Sequence, residues 1–184
     1  RADGWEKAAP PQQYWTFPAV DARLTEAEVV PRIRDTFDAA VHDHLIADVP
    51  VGVFLSSGLD STAVAAFAAR HTARLRSFTV GFSDQPDLSE SVYAGETARL
   101  LGLDHTEIQI VTKDAEQIAV EWMDSLDQPS MDGLNVYLIS KVVRREGITV
   151  ALSGQGGDEL FGGYPSFEDI LRLRQTLPKL RFLP

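Results

Sequence analysis

The chain has 184 residues, no cysteine and a formal net charge of −10. That length suits one compact domain burying roughly 70% of the surface its unfolded form would expose, and the lack of cysteine excludes disulfides, thiolate metal centres and cysteine nucleophiles within it. The acidic balance excludes a general nucleic-acid-binding surface, which needs clustered Lys and Arg, and no apolar run approaches the ~20 residues of a membrane span, so a reducing, cytoplasmic setting is the plainest reading.

Residues 1–24 start on Arg1 rather than a methionine, have no signal-peptide core, and are rich in proline and aromatics (Pro10, Pro11, Tyr14, Trp15, Phe17, Pro18). They read as an extended connector, and the chain as a piece of something longer. From Thr25 to Ala47 the apolar positions Val29, Ile33, Phe37, Val41 and Leu45 recur every four residues, an amphipathic helix with Pro31 tolerated in its first turns. His42 and His44 lie two apart, point to different faces and read as solvated helix residues rather than a metal pair.

After Val49-Pro50, strands and helices alternate. The pattern predicts strands over Val51 to Leu55, Leu75 to Phe82, His105 to Val111 and Ile148 to Leu152. Between them it predicts helices over Asp60 to Arg70, Ser89 to Leu101 and Ala115 to Leu126, and another marked by Leu134, Leu138 and Val142 and ended by Gly147. Trp122, at helical spacing from Ile118 and Leu126, is expected in the core. Ser166 to Pro184 reads as a basic amphipathic helix with a ragged end. This order predicts an α/β fold, a three-layer α/β/α arrangement on a mostly parallel sheet, with ligands at the carboxyl ends of the strands.

Two loops fall at that edge. Leu55-Ser56-Ser57-Gly58-Leu59-Asp60-Ser61 follows the first strand, and Leu152-Ser153-Gly154-Gln155-Gly156-Gly157-Asp158-Glu159-Leu160-Phe161-Gly162-Gly163-Tyr164 follows the last. Each offers small residues, backbone N–H groups and an aspartate at a helix start, the equipment for a nucleoside triphosphate and its metal. A Walker loop is excluded, because none of Lys7, Lys113, Lys141 and Lys179 follows a glycine. Instead, residues 56–61 can wrap a pyrophosphate with N–H and O–H donors while Asp60 faces a divalent cation. Taken singly, Asp60 with Ser61, or Asp158, reads equally as a helix cap. Glu159 either orients a metal ligand or only favours the helix start electrostatically.

The first loop resembles the SGGxDS loop of the ATP pyrophosphatases, and the second resembles the LSGxGxDExFGGY signature of glutamine-dependent asparagine synthetases and the related β-lactam synthetase. The likeness covers most of residues 49–168, including Ser77-Phe78-Thr79-Val80-Gly81-Phe82 and Gly102-Leu103-Asp104-His105-Thr106-Glu107, and Tyr14-Trp15-Thr16-Phe17-Pro18 resembles the segment leaving the family's glutaminase domain. The resemblance implies an adenine nucleotide α-hydrolase-like, Rossmann-like fold over residues 25–184, truncated at its C-terminal end. It implies ATP-driven amide formation: a carboxylate, aspartate above all, attacks the α-phosphorus, pyrophosphate leaves, and ammonia displaces AMP.

The same resemblance implies ATP and magnesium as cofactors, with Asp60 and Asp158 as metal ligands. Two carboxylates ~5 Å apart repel by roughly 3 kcal/mol at an effective dielectric of about 20, a cost that a cation removes. Leu55, Ser56, Ser57, Gly58, Ser61, Val80, Ser153 and Gly154 would contact the nucleotide, and Gln155 and Glu159 join the two aspartates as catalytic candidates. Its implied partners are a glutaminase domain of the same full-length protein and, as a further expectation, a second copy in a homodimer.

Asp127-Gln128-Pro129-Ser130-Met131-Asp132-Gly133 precedes a helix at the same edge, where Asp127 and Asp132 either receive a substrate ammonium or form a capped proline turn. Glu90 stands where family members often have an acidic residue, and reads equally as a first-turn helix carboxylate. Ser57 replaces a usual glycine, which is costly only if its φ is positive. Gln155 stands where several asparagine synthetases carry glutamate; it can hydrogen-bond but cannot act as a base. Three readings therefore stand side by side: asparagine formation, the same adenylation on another acceptor such as a β-lactam precursor or a peptide, and a catalytically weakened nucleotide-binding module.

Overall fold

The computed structural model describes residues 10–84, 91–128 and 133–180, with side chains in the last helix to residue 174. The chain divides into two compact units, residues 1–35 and 36–184. The elements are α1 (Glu26–His44), β1 (Val51–Phe54), α2 (Leu59–His71), β2 (Arg76–Phe82), α3 (Ser91–Leu101), β3 (Asp104–Ile110), α4 (Thr112–Ser125), α5 (Leu134–Arg145), β4 (Val150–Leu152), α6 (Gly157–Phe161) and α7 (Pro165–Leu180).

In the first unit, Trp15 and Phe17 meet edge to face at 4.6 Å. The start of α1 is fixed by Glu28, whose carboxylate accepts from the Thr25 N–H at 2.9 Å and the Thr25 hydroxyl at 2.8 Å. Those bonds hold the Glu28 carboxyl below its ordinary range and form one half of a capping box.

The second unit is built on an all-parallel sheet of order β3-β2-β1-β4. Alternation along the strands sends Val53, Ser77, His105 and Leu152 to one face and Phe54, Phe78, Thr106 and Ala151 to the other. The first face packs Val53, Leu55 and Leu75 against Val41 of α1, Val64, Ala65 and Ala68 of α2, and Ala94 and Ala98 of α3. The four alanines are fully buried, and their small side chains let α2 and α3 approach the strands closely. On the second face α4 and α5 cover the sheet, with Ile118, Leu138 and Val142 on Ile110, and Val143 on Phe78 and Ile148.

The chain steps outward from β1 to β2 and β3, then returns to add β4 on the other side of β1. The connections therefore reverse direction between β1 and β4, and the loops leaving those strands diverge there, which is where open parallel sheets hold ligands.

The helix start expected at Asp158 is present as the short α6. One feature differs from the sequence expectation. Trp122 is half-buried rather than in the core. The row Ile118, Trp122, Leu126 runs out from under α5, since Ile118 is 7% exposed and Leu126 36%. Residues 89 and 90 at the expected start of α3, Glu90 included, lie outside the described residues.

His105 sits on the first face with Nδ1 2.9 Å from the buried Ser77 hydroxyl, and its buried Nε2 has no hydrogen-bond partner among the described residues. Desolvation lowers its pKa, and the Glu107 carboxylate offsets part of that. A histidine held neutral by the fold stabilises above its unfolded pKa, and that stabilisation is lost as pH falls through the lowered folded value. Urea midpoints should therefore drop between pH 7.5 and 5, and His105→Asn should flatten that part of the profile. An unchanged slope in the variant would count against this assignment.

Candidate active site between two strand-to-helix loops

The first loop is anchored at its strand end. Leu55 is 2% exposed; its N–H donates to the Phe78 carbonyl at 2.9 Å, and its carbonyl accepts from the buried Thr79 hydroxyl at 2.5 Å. The turn that follows is closed by its own hydroxyls. Ser61 Oγ accepts from the Ser56 N–H at 3.1 Å, lies 2.8 Å from Ser56 Oγ and is 3.1 Å from the Gly58 carbonyl, to which it can donate. Ser56 Oγ accepts from the Gly58 N–H at 3.1 Å. Ser56 and Ser61 thus shape the turn that aims the start of α2.

The residue before α2 is Gly58, with no side-chain cap bond, so Asp60 is the second helical residue and Ser61 the third. The second loop repeats the arrangement. Gly156, in the left-handed region at φ 99°, precedes α6 without a side-chain cap bond, and Asp158 is the second helical residue. Neither aspartate occupies the capping position, so the cap reading describes neither loop. Their carboxylates are left for another partner.

The two loops are in direct contact. A Cβ added to Gly154 would lie 2.5 Å from Ser61 N and 2.8 Å from the Asp60 carbonyl carbon, and one added to Gly157 would overlap the Asp60 carboxylate. Only glycine lets the second loop lie on the first at these points. Asp158 is seated in the same manner against Gly163, where an added Cβ would overlap its carboxylate, while its carbonyl accepts from the N–H groups of Gly162 and Gly163 at 2.9 and 3.0 Å.

Between the loops lies a cavity of about 680 Å³. Leu55, Ser56, Gly58, Asp60 and Ser61 line it from one side, and Ser153, Gly154, Gln155, Gly157 and Asp158 from the other. A neighbouring cavity of about 350 Å³ shares Phe54, Leu55, Ser56 and Ile139 with it and is lined by Val80. Val80 is thus beside the inter-loop cavity rather than in it.

Some candidates from the sequence are not brought there. Ser57 is exposed and lines neither cavity, and its φ is not positive, so the serine carries no strain in place of glycine. Glu159 is exposed and accepts the Tyr164 hydroxyl at 2.8 Å, outside both linings. Asp127 is exposed beyond the end of α4 and lines neither cavity, and Asp132 lies outside the described residues. Thr79 is a contributor that sequence reasoning passed over, although a hydroxyl inside an apolar strand was a usable signal.

Among the described residues no group of three or more His, Asp or Glu side chains is placed to hold a metal ion. Asp60 and Asp158, both lining the inter-loop cavity, fit magnesium, which is commonly held by one or two carboxylates plus substrate phosphates and water. The first-turn N–H groups of α2, at Leu59, Asp60 and Ser61, have no intrahelical acceptors and suit the anion that would accompany it.

Asparagine synthetase [glutamine-hydrolyzing] 1 of Bacillus subtilis (strain 168) is 36% identical over 151 residues, 81% of this chain and 24% of that protein. Asparagine synthetase B [glutamine-hydrolyzing] of Escherichia coli (strain K12) is 32% identical over 174 residues, 85% of this chain and 30% of that protein. The chain thus spans 24% and 30% of the length of these curated relatives. Among solved structures, the NH3-dependent NAD synthetase from Campylobacter jejuni subsp. jejuni NCTC 11168 aligns with a TM-score of 0.45 and 16% identity, over 73% of this chain and 60% of that one. The asparagine synthase family model matches residues 32–183, a stretch that contains both loops and all four strands. The chain belongs to the asparagine synthase family.

Proposed function

We propose that the inter-loop cavity binds ATP with magnesium and that the full-length protein uses it to adenylate a carboxylate, aspartate in the first instance, which ammonia from glutamine then converts to the amide. The observation that carries this reading is the seating of the second loop on the first, which puts Asp60 and Asp158 in the lining of the same cavity. Membership of a family whose named relatives are glutamine-hydrolysing asparagine synthetases supports the reaction class.

In this scheme the α2 first-turn N–H groups hold the pyrophosphate as it departs, placing donors where negative charge grows. Asp60 and Asp158 would hold magnesium, which when bound neutralises phosphate charge. Leu55 and Val80 border the space for the adenosine part. Gln155 hydrogen-bonds the incoming nucleophile or the acyl oxygen, but its amide cannot take the proton that ammonia must lose. That limitation favours a second reading in which the same adenylation serves another carboxylate. The glutaminase domain of the full-length protein would supply ammonia in either case, and the setting would be the cytoplasm.

The full-length protein given ATP, magnesium, aspartate and ammonium should release AMP and pyrophosphate. Release of ADP and phosphate would overturn the proposal, and AMP release with other carboxylates only would favour the second reading.

A further inference from the structure

Among the exposed residues that line the inter-loop cavity, which include Ser153 and Gln155, two are large and apolar. Leu59, the first residue of α2, is 83% exposed, and Phe161, the last of α6, is 61% exposed; both line the cavity that Asp60, Ser61 and Asp158 also line. Each is tied to the aspartate of its own loop. Leu59 directly precedes Asp60, and Phe161 lies one helical turn beyond Asp158, at a spacing that puts both on one side of the helix. Leu160 is as open to solvent, 75% exposed, but does not line the cavity. One large apolar side chain from each loop therefore borders the opening.

In the reaction proposed above, on which this inference rests, the α-phosphate carries the acyl group as a mixed anhydride with AMP, in the same cavity that Leu59 and Phe161 line. Two reactions compete for it. Ammonia attacks the acyl carbon, the bond from that carbon to the phosphate-bearing oxygen breaks, a proton leaves nitrogen, and amide and AMP result. Water attacks the same carbon, the same bond breaks, a proton is lost, and free carboxylate and AMP result. The second wastes one ATP per turn, and excluding bulk water at the moment of reaction suppresses it.

We propose that Leu59 and Phe161 form a water-excluding rim that closes on the acyl-adenylate and sets the partition between amide and hydrolysis. They are positioning residues: they take no proton and hold no charge, and they act by denying solvent a route to the acyl carbon.

The test uses the full-length protein with ATP, magnesium, aspartate and saturating ammonium in water enriched in oxygen-18. Leu59→Ala and Phe161→Ala should each raise the ratio of AMP to amide several-fold and place solvent oxygen in the recovered carboxylate. In Phe161→Ala, acceptor-dependent exchange of pyrophosphate into ATP should stay near wild type. Leu160→Ala should match wild type, and the bulk-preserving Leu59→Met and Phe161→Leu should restore the partition. A partition unchanged in the alanine variants, a change in thermal stability alone, or an equal effect of Leu160→Ala would overturn the inference while leaving adenylation intact. No AMP release by the wild type with any carboxylate would instead remove the reading beneath it.

Discussion

Replacing Asp60 by asparagine in the full-length protein should lower acceptor-dependent exchange of labelled pyrophosphate into ATP by ~10²–10³-fold, the usual effect of removing one preorganised electrostatic contact. Asp158→Asn should do the same. The double variant should fall well short of the product of the two losses if, as proposed, one magnesium site serves both carboxylates. Asparagine keeps the shape of aspartate, so the contact with Gly157 survives. Among the described residues no hydrogen bond or ion pair to the Asp60 carboxylate would be broken. Unfolding temperature in the absence of nucleotide should therefore not fall, and relief of repulsion between two carboxylates could only raise it. Exchange within a few-fold of wild type in Asp60→Asn would remove that carboxylate from the chemistry.

Gly154→Ala should be nearly as damaging by another route. The added methyl would stand 2.5 Å from Ser61 N and 2.8 Å from the Asp60 carbonyl carbon. Both are backbone atoms that no rotamer change can move aside. Overpacking of this kind costs about 1–3 kcal/mol, and relieving it must push the first turn of α2 away from the second loop. Urea denaturation should report the lost stability, and calorimetric titration with ATP and magnesium should report binding weakened by at least the ~10-fold that 1.4 kcal/mol represents. Gly95→Ala is the matched control, since its added Cβ meets nothing within 4 Å. A Gly154→Ala protein with wild-type stability and binding would mean that the loops are not in contact.

The parts of this molecule legible in the sequence are those whose cause is local. Strand β1 shows as Val51, Val53 and Leu55, and α2 as Val64 and Phe67 at helical spacing, because periodicity and burial coincide there. The small residues of both loops are also local signals. What they do is not: Gly154 and Gly157 read as small residues of a phosphate loop, Gly154 among the nucleotide contacts, and prove to be points where a side chain has no room against Asp60. Glu159 looked as available as Asp158, its neighbour. One helical position turns it outward to the Tyr164 hydroxyl, a difference of about 100° that spacing alone does not interpret. Val80 faces the adjoining cavity because its strand lies one place further from the switch point than β1. Spacing alone puts Trp122 in the core, but how far α5 extends over α4 is a tertiary fact. The N-capping reading of the aspartates failed for a similar reason, since helix starts are hard to place to the residue.

The seating of residues 154 and 157 on Asp60 also bears on how the chain folds. β1 and its loop are complete early in the chain, yet they have no site until β4, only Val150–Leu152 in extent, has paired with β1. That pairing spans β2, β3 and four intervening helices, a long closure whose entropy is met before any contact rewards it. Anything that bridges the two loops, a nucleotide above all, would therefore act as a clamp on the last-added strand.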